Sequence, residues 1–182
     1  DYFQSSLFTI ARRRILWLLI LVLANGLTTK VIAMNDQILK EIVLLAAFIP
    51  LLIGTGGNVG AQSSTVVIRG LSTQKLKSLG AIKAVVKEAI TGALLGVLMM
   101  LVVFPFAWWQ GEGPLIASAV GISLISITTL AATTGAILPL LFDKMKLDPA
   151  LMSSPFITTV TDIAGVFIYL STAKWLLTSQ FL

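Results

Sequence analysis

Ala93-Leu94-Leu95-Gly96-Val97-Leu98-Met99-Met100-Leu101-Val102-Val103-Phe104-Pro105-Phe106-Ala107-Trp108-Trp109 contains no charged residue and closes on two tryptophans. The apolar run starts earlier, so residues 84–108 form one stretch. Crossing about 30 Å of hydrocarbon takes roughly 20 residues of helix. Working outward, comparable runs cover residues 15–33, 38–68, 114–142 and 149–177. A membrane barrel would show short alternating segments instead. The pattern predicts an all-α membrane protein of about five transmembrane helices, read as a single transmembrane domain over residues 1–182 with residues 1–14 as a cytoplasmic entry segment.

Composition agrees. Of 182 residues, 57% are hydrophobic and only 12% charged, against about a quarter in soluble domains. Mean hydropathy is +0.96. Cysteine and histidine are both absent. That excludes disulfides, thiol nucleophiles, Cys/His zinc sites and histidine bases, and with them most enzyme chemistry. The net charge of +5 is read as loop lysine and arginine set by topology rather than a nucleic-acid surface. With the amino terminus in the cytoplasm, Arg12, Arg13, Arg14, Arg69, Lys75, Lys77, Lys83, Lys87, Lys144 and Lys146 fall inside. Only Lys30, Lys40 and Lys174 fall outside. This bias predicts a cytoplasmic amino terminus and an outside carboxyl terminus. Trp17 would mark the inner interface, and Trp108, Trp109 and Trp175 the outer one.

Seven of the eight acids have simple readings as loop, terminal or interfacial groups. Glu41 suits a helix start, and Glu88 lies near Lys83 and Lys87 on the inner turns of the third span. Asp162 is different. It falls near the middle of the fifth span, where a charge costs roughly 2.5–3.5 kcal/mol on insertion scales. No lysine or arginine accompanies it at that depth on its helix. An intramembrane acid is a functional candidate by default; the competing reading is a protonated carboxyl bonded within the bundle. Ser154, Thr158, Asp162, Gly165 and Tyr169 recur at helical spacing, with Thr161 beside them. Thr128, Thr129, Thr133 and Thr134 on the fourth span suggest a polar groove or a kink.

Pro50 and the cluster Gly54-Thr55-Gly56-Gly57-Asn58-Val59-Gly60 interrupt the second run. Irregular backbone at membrane depth is tolerated where it lines a water-filled cavity, and broken helices present carbonyls to ions. Close packing of small residues is the alternative, with Gly56 and Gly60 as a small-xxx-small pair. Asn58, Gln62, Ser63, Ser64 and Thr65 add more polarity than packing needs. The reading therefore expects an unwound, ion-lining segment. One deep carboxylate is a poor divalent site, whereas two across a two-fold axis present a charge of about −2. Magnesium, which keeps its waters, suits such a sparse set better than calcium.

The stretch from Pro50 to Thr65 resembles the signature of the MgtE family of magnesium channels. So do Asp148-Pro149-Ala150, Ser154-Pro155-Phe156 and Thr158 to Gly165. The resemblance covers essentially the whole chain. It implies a homodimer in a bacterial inner membrane, with a central pore formed mainly by the second and fifth spans. It implies that the Asp162 side chain holds a hydrated Mg2+, assisted by the backbone carbonyls of Gly54, Gly57, Ser154 and Thr158. Asn58, Gln62, Thr161 and Gly165 would line the pore. Ser154 departs from the asparagine expected near there in some relatives. The transported ion would be Mg2+, with Mn2+, Co2+ or Ca2+ as other candidates. A cytoplasmic Mg2+-sensing region is expected in the full-length protein and has no counterpart in this sequence. The function expected is a passive channel; the alternative is an ion-coupled secondary transporter, for which no inverted repeat or second deep acid is found.

Overall fold

The computed structural model describes residues 7–73 and 80–178. Within these, the side chains of residues 7, 9, 10, 13, 14, 16, 17, 41, 111, 112, 150–154 and 178 are outside the description, as are Lys75 and Lys77 entirely. Every described element is helical: α1 (Leu7–Met34), α2 (Asp36–Glu41), α3 (Leu44–Ser72), α4 (Ala81–Ala107), a π-helical turn (Trp108–Glu112), α5 (Gly113–Lys144) and α6 (Pro149–Thr178). Four helices are long and apolar enough to cross a membrane: Leu44–Ser72, Ala81–Gln110, Gly113–Lys144 and Pro155–Leu177. Leu18–Met34 is a shorter apolar helix. The chain is thus an all-helical, multi-pass membrane protein.

Local chemistry explains the boundaries. The run expected over residues 38–68 is two helices that part at Ile42 and Val43, with α2 carrying an exposed Lys40–Asp36 ion pair. Pro105 precedes the π-helical turn, and Gly113, at φ 74, starts α5 from a conformation a side chain would disfavour. α5 ends in a Schellman pattern. The Lys146 amide donates to Asp143 O at 3.0 Å and the Leu147 amide to Phe142 O at 2.9 Å, with Lys146 in the left-handed region at φ 58. Two residues later Pro149 opens α6, where its missing N–H is not needed.

Lipid is as apolar as leucine, so helices associate by close packing, and small residues set how close. α5 is the central strut, packed on α4, α3 and α6. A Cβ on Gly92 of α4 would lie 2.5 Å from Thr128 O, and one on Gly121 of α5 2.7 Å from Met100 Cγ. The order of these contacts runs α4 antiparallel to α5. Contacts from Gly56 to Ile127 and from Gly60 to Ala131 run α3 parallel to α5; those from Gly60 to Ile157 and Gly56 to Thr161 run α6 antiparallel to both. The outcome sorts residue types by end. Arg69, Lys83, Lys87, Lys144 and Lys146 gather at one end of the bundle. Trp108, Trp109, Lys174 and Trp175 gather at the other, the tryptophans well exposed.

Candidate functional site

The expected unwound segment is absent. α3 continues as one helix through Pro50 and all the glycines from Gly54 to Gly60. Gly56 and Gly60 serve close approach instead. A Cβ on Gly56 would lie 2.7 Å from Ile127 Cγ2 and 3.6 Å from Thr161 Cβ. One on Gly60 would collide with Ile157 Cγ2 and sit 3.1 Å from Ala131 O. Because α5 and α6 supply these contacts, a glycine-rich helix that is weak in isolation is held helical by its neighbours. The missing N–H of Pro50 frees the Ala46 carbonyl. Beside it, Tyr169 Oη of α6 donates to Leu45 O at 3.1 Å in a buried site.

Packing divides α3 lengthwise. Leu52, Gly56, Val59, Gly60, Ser63 and Val67 are buried. Gly54, Asn58, Gln62 and Thr65 lie on the other side and are exposed, with Gly57 half-buried. Asn58 and Gln62 thus stand on an open polar face in the middle of a membrane-length helix. Nothing lies within 4 Å of a Cβ on Gly54, while one on Gly57 meets only Thr158 Cγ2, at 3.7 Å. The Gly54 and Gly57 carbonyls keep a second lone pair beyond their helical bonds.

α6 grades from buried to open along one stripe. Tyr169, Val166 and Gly165 are buried, Asp162 is half-buried and Thr158 is exposed. Asp162 therefore sits where the packed part of the α3–α6 seam opens. Among the described residues no ion pair or hydrogen bond reaches its carboxylate, and no group of three or more acidic residues could jointly hold a metal. The Thr158 and Thr159 hydroxyls both donate to Pro155 O, each at 2.9 Å. Ser154 lies in the first turns of α6, its side chain outside the described residues.

The structure therefore brings Gly57 and Thr158 together at one edge, with Asp162 one helical turn further along α6 and Gly54, Asn58 and Gln62 on the exposed face of α3. It buries Thr161 and Gly165 in packing contacts. Thr161 is fully buried against Gly56, and its single hydroxyl hydrogen is shared between Ile157 O at 2.8 Å and Thr158 O at 2.9 Å. Gly165 packs on Ile127, 3.6 Å from its Cδ1. One residue of difference from Asp162 turns a side chain by about 100°, enough to move it from the open edge to the seam. The hydroxyls of the fourth run are likewise spent locally. Thr128, Thr129 and Thr133 each donate to the carbonyl four residues back, at 2.8, 2.6 and 2.6 Å.

A family model described as MgtE, divalent cation transporter, matches residues 49–172, which include α3 from Ile49 on, α4, α5 and most of α6. The chain belongs to the MgtE family. Among its relatives, the magnesium transporter MgtE of Thermus thermophilus is 38% identical over 164 residues, or 90% of this chain and 36% of the relative. That of Bacillus subtilis is 34% identical over 172 residues, 94% of this chain and 38% of its own. That of Enterococcus faecalis is 34% identical over 168 residues, covering 90% and 36%. The chain thus spans little more than a third of the length of these MgtE relatives. MgtE is a transporter family, and the open polar edge carrying Asp162 lies inside the matched region.

Proposed function

We propose that two copies of this chain form a channel that passes hydrated Mg2+ down its electrochemical gradient, with the two Asp162 carboxylates facing each other across the pore. The observation that carries this reading is the half-buried Asp162, without a partner among the described residues, beside an open polar face on α3. Polar surface of that kind is too expensive to leave against lipid. A second copy placed there would cover it and supply the second carboxylate, and cyclic dimers are the commonest assembly. Mg2+ dehydrates reluctantly, so it suits two carboxylates and a few carbonyls acting through its waters. The Gly54 and Gly57 carbonyls would supply such acceptors at that edge, joined by Thr158 O once the Thr161 hydroxyl bonds Ile157 O alone, and Ser154 would extend them towards the start of α6. Asn58 and Gln62 offer amide groups to the ion's waters. The charge sorting supports an amino terminus on the cytoplasmic side of a bacterial inner membrane. The magnesium-transporter names of the relatives favour Mg2+ over Mn2+, Co2+ or Ca2+. A channel is favoured over a coupled transporter because Asp162 is the only acid at that depth among the described residues.

The test is Mg2+ entry into liposomes carrying wild-type or Asp162→Asn protein. The variant is expected to lose at least about tenfold of the flux, since half of a hydrogen-bonded ion clamp disappears from each chain. Equal flux would overturn the assignment. Flux that follows an imposed proton or sodium gradient would replace the channel with a coupled transporter.

A further inference from the structure

Glu88 makes a contact that its lysine-rich sequence neighbours conceal. Lys83 and Lys87 are exposed, and among the described residues neither makes an ion pair with it. Glu88 is half-buried and its Oε2 accepts a hydrogen bond from Ser63 Oγ at 2.7 Å. Ser63 is almost wholly buried and shares its face of α3 with residues 52, 56, 59, 60 and 67, about 100° round the helix from Gln62 and nearly opposite Thr65. α4, which bears Glu88, packs chiefly on α5 and touches α3 only sparingly. Among the described residues this is the side-chain hydrogen bond that ties α4 to the half of α3 that runs towards Arg69.

The other fixings of α3 lie nearer its start. Tyr169 holds Leu45 O, and the contacts of Gly56 and Gly60 fix the middle. Beyond Gly60, Ser63, Ser64 and Val67 remain buried, and the Ser63 hydroxyl is the group there that reaches across to α4. We propose that the Ser63–Glu88 hydrogen bond is a positioning latch. It draws the second half of α3 back against α4, so that Gln62 and Thr65 line the ion path without obstructing it. Glu88 touches no ion; it acts through the position of α3. A charged acceptor suits this task, because hydrogen bonds to charged groups are the stronger kind. The inference rests on the pore reading above, since it takes the exposed face bearing Gln62 and Thr65 to be the conducting one.

The experiment compares Mg2+ flux into liposomes for wild type, Ser63→Ala, Glu88→Leu, Glu88→Gln, the double variant Ser63→Ala/Glu88→Leu, and Asp162→Asn. Loss of the bond in Ser63→Ala or Glu88→Leu is expected to lower flux about tenfold, the scale of one charge-assisted hydrogen bond. The double variant should fall no further than the single ones. Glu88→Gln, which still accepts from Ser63, should stay within about threefold of wild type. The preference for Mg2+ over Ca2+ among the ions that still pass should not change, because Asp162 is untouched. Ser63→Ala flux within about twofold of wild type overturns the latch, as do multiplicative effects in the double variant or a Glu88→Gln loss equal to that of Glu88→Leu. If Glu88→Leu does not fold, Ser63→Ala decides alone. Full flux from Asp162→Asn sinks the pore reading instead, so the two failures remain distinct.

Discussion

Gly135 offers the sharpest test of how the helices are held. A Cβ there would collide with Gly60 O and lie 3.0 Å from Gly60 C and 3.1 Å from Gly60 Cα. All three atoms are backbone, so no rotamer change relieves the contact. Carbon atoms prefer about 3.5–4.0 Å, so α3 and α5 must separate by at least about half an ångström in Gly135→Ala. Overpacking of this kind costs about 1–3 kcal/mol. Alanine returns about 1 kcal/mol through its better helix propensity. The net loss against wild type is about 0–2 kcal/mol, and against a glycine-to-alanine change without the clash about 1–3 kcal/mol, or roughly 2–12 °C in melting temperature for a chain of this size. The assay is thermal unfolding of purified protein in detergent, followed by the amount remaining monodisperse. Gly26→Ala is the control: nothing lies within 4 Å of a Cβ at Gly26 on α1, so that variant should match or exceed wild type. A Gly135→Ala protein as stable as the Gly26→Ala control would refute the close α3–α5 crossing, and with it the claim that Gly56 and Gly60 exist for packing.

Other substitutions separate the remaining contributions. Tyr169→Phe removes the hydroxyl bonded to Leu45 O and should cost about 1 kcal/mol, lowering the melting temperature by roughly 2–4 °C. Lys40→Ala breaks only an exposed ion pair on α2 and should shift the melting temperature by less than about 2 °C, because such pairs contribute little. Thr161→Ser keeps the hydroxyl bonds to Ile157 O and Thr158 O but removes the methyl packed against Gly56. It should reduce thermal stability by about 1 kcal/mol with Mg2+ flux changed less than about threefold, a pattern measured by running both assays on one preparation.

Much of this architecture is legible in the sequence. The long apolar runs mark the helices, and Asp148-Pro149 marks the start of α6 at Pro149. Asp162 stands out because nothing nearby in sequence neutralises it. The glycine-rich stretch is harder. Unwinding and close packing call for the same small residues, and what decides between them is supplied by Ile127, Ala131 and Gly135 on α5, about 70 residues away. Glu88 is missed for a similar reason. Its local neighbours are lysines, so it reads as a solvated group, whereas its partner Ser63 lies on another helix 25 residues earlier. The signal that was available is the serine pair Ser63-Ser64 on the apolar side of α3, which must find an acceptor once buried. Thr161 illustrates the narrowest margin, since helical spacing sets it beside Asp162 while packing turns it into the α3–α6 seam.

A structure of the reconstituted dimer soaked in Mn2+, located by its anomalous scattering, tests the central claim most directly. The account places one ion on the two-fold axis with both Asp162 carboxylates about 4–5 Å away, one water layer from the metal. Carboxylates pointing into lipid, or an ion bound with neither Asp162 near it, would contradict it.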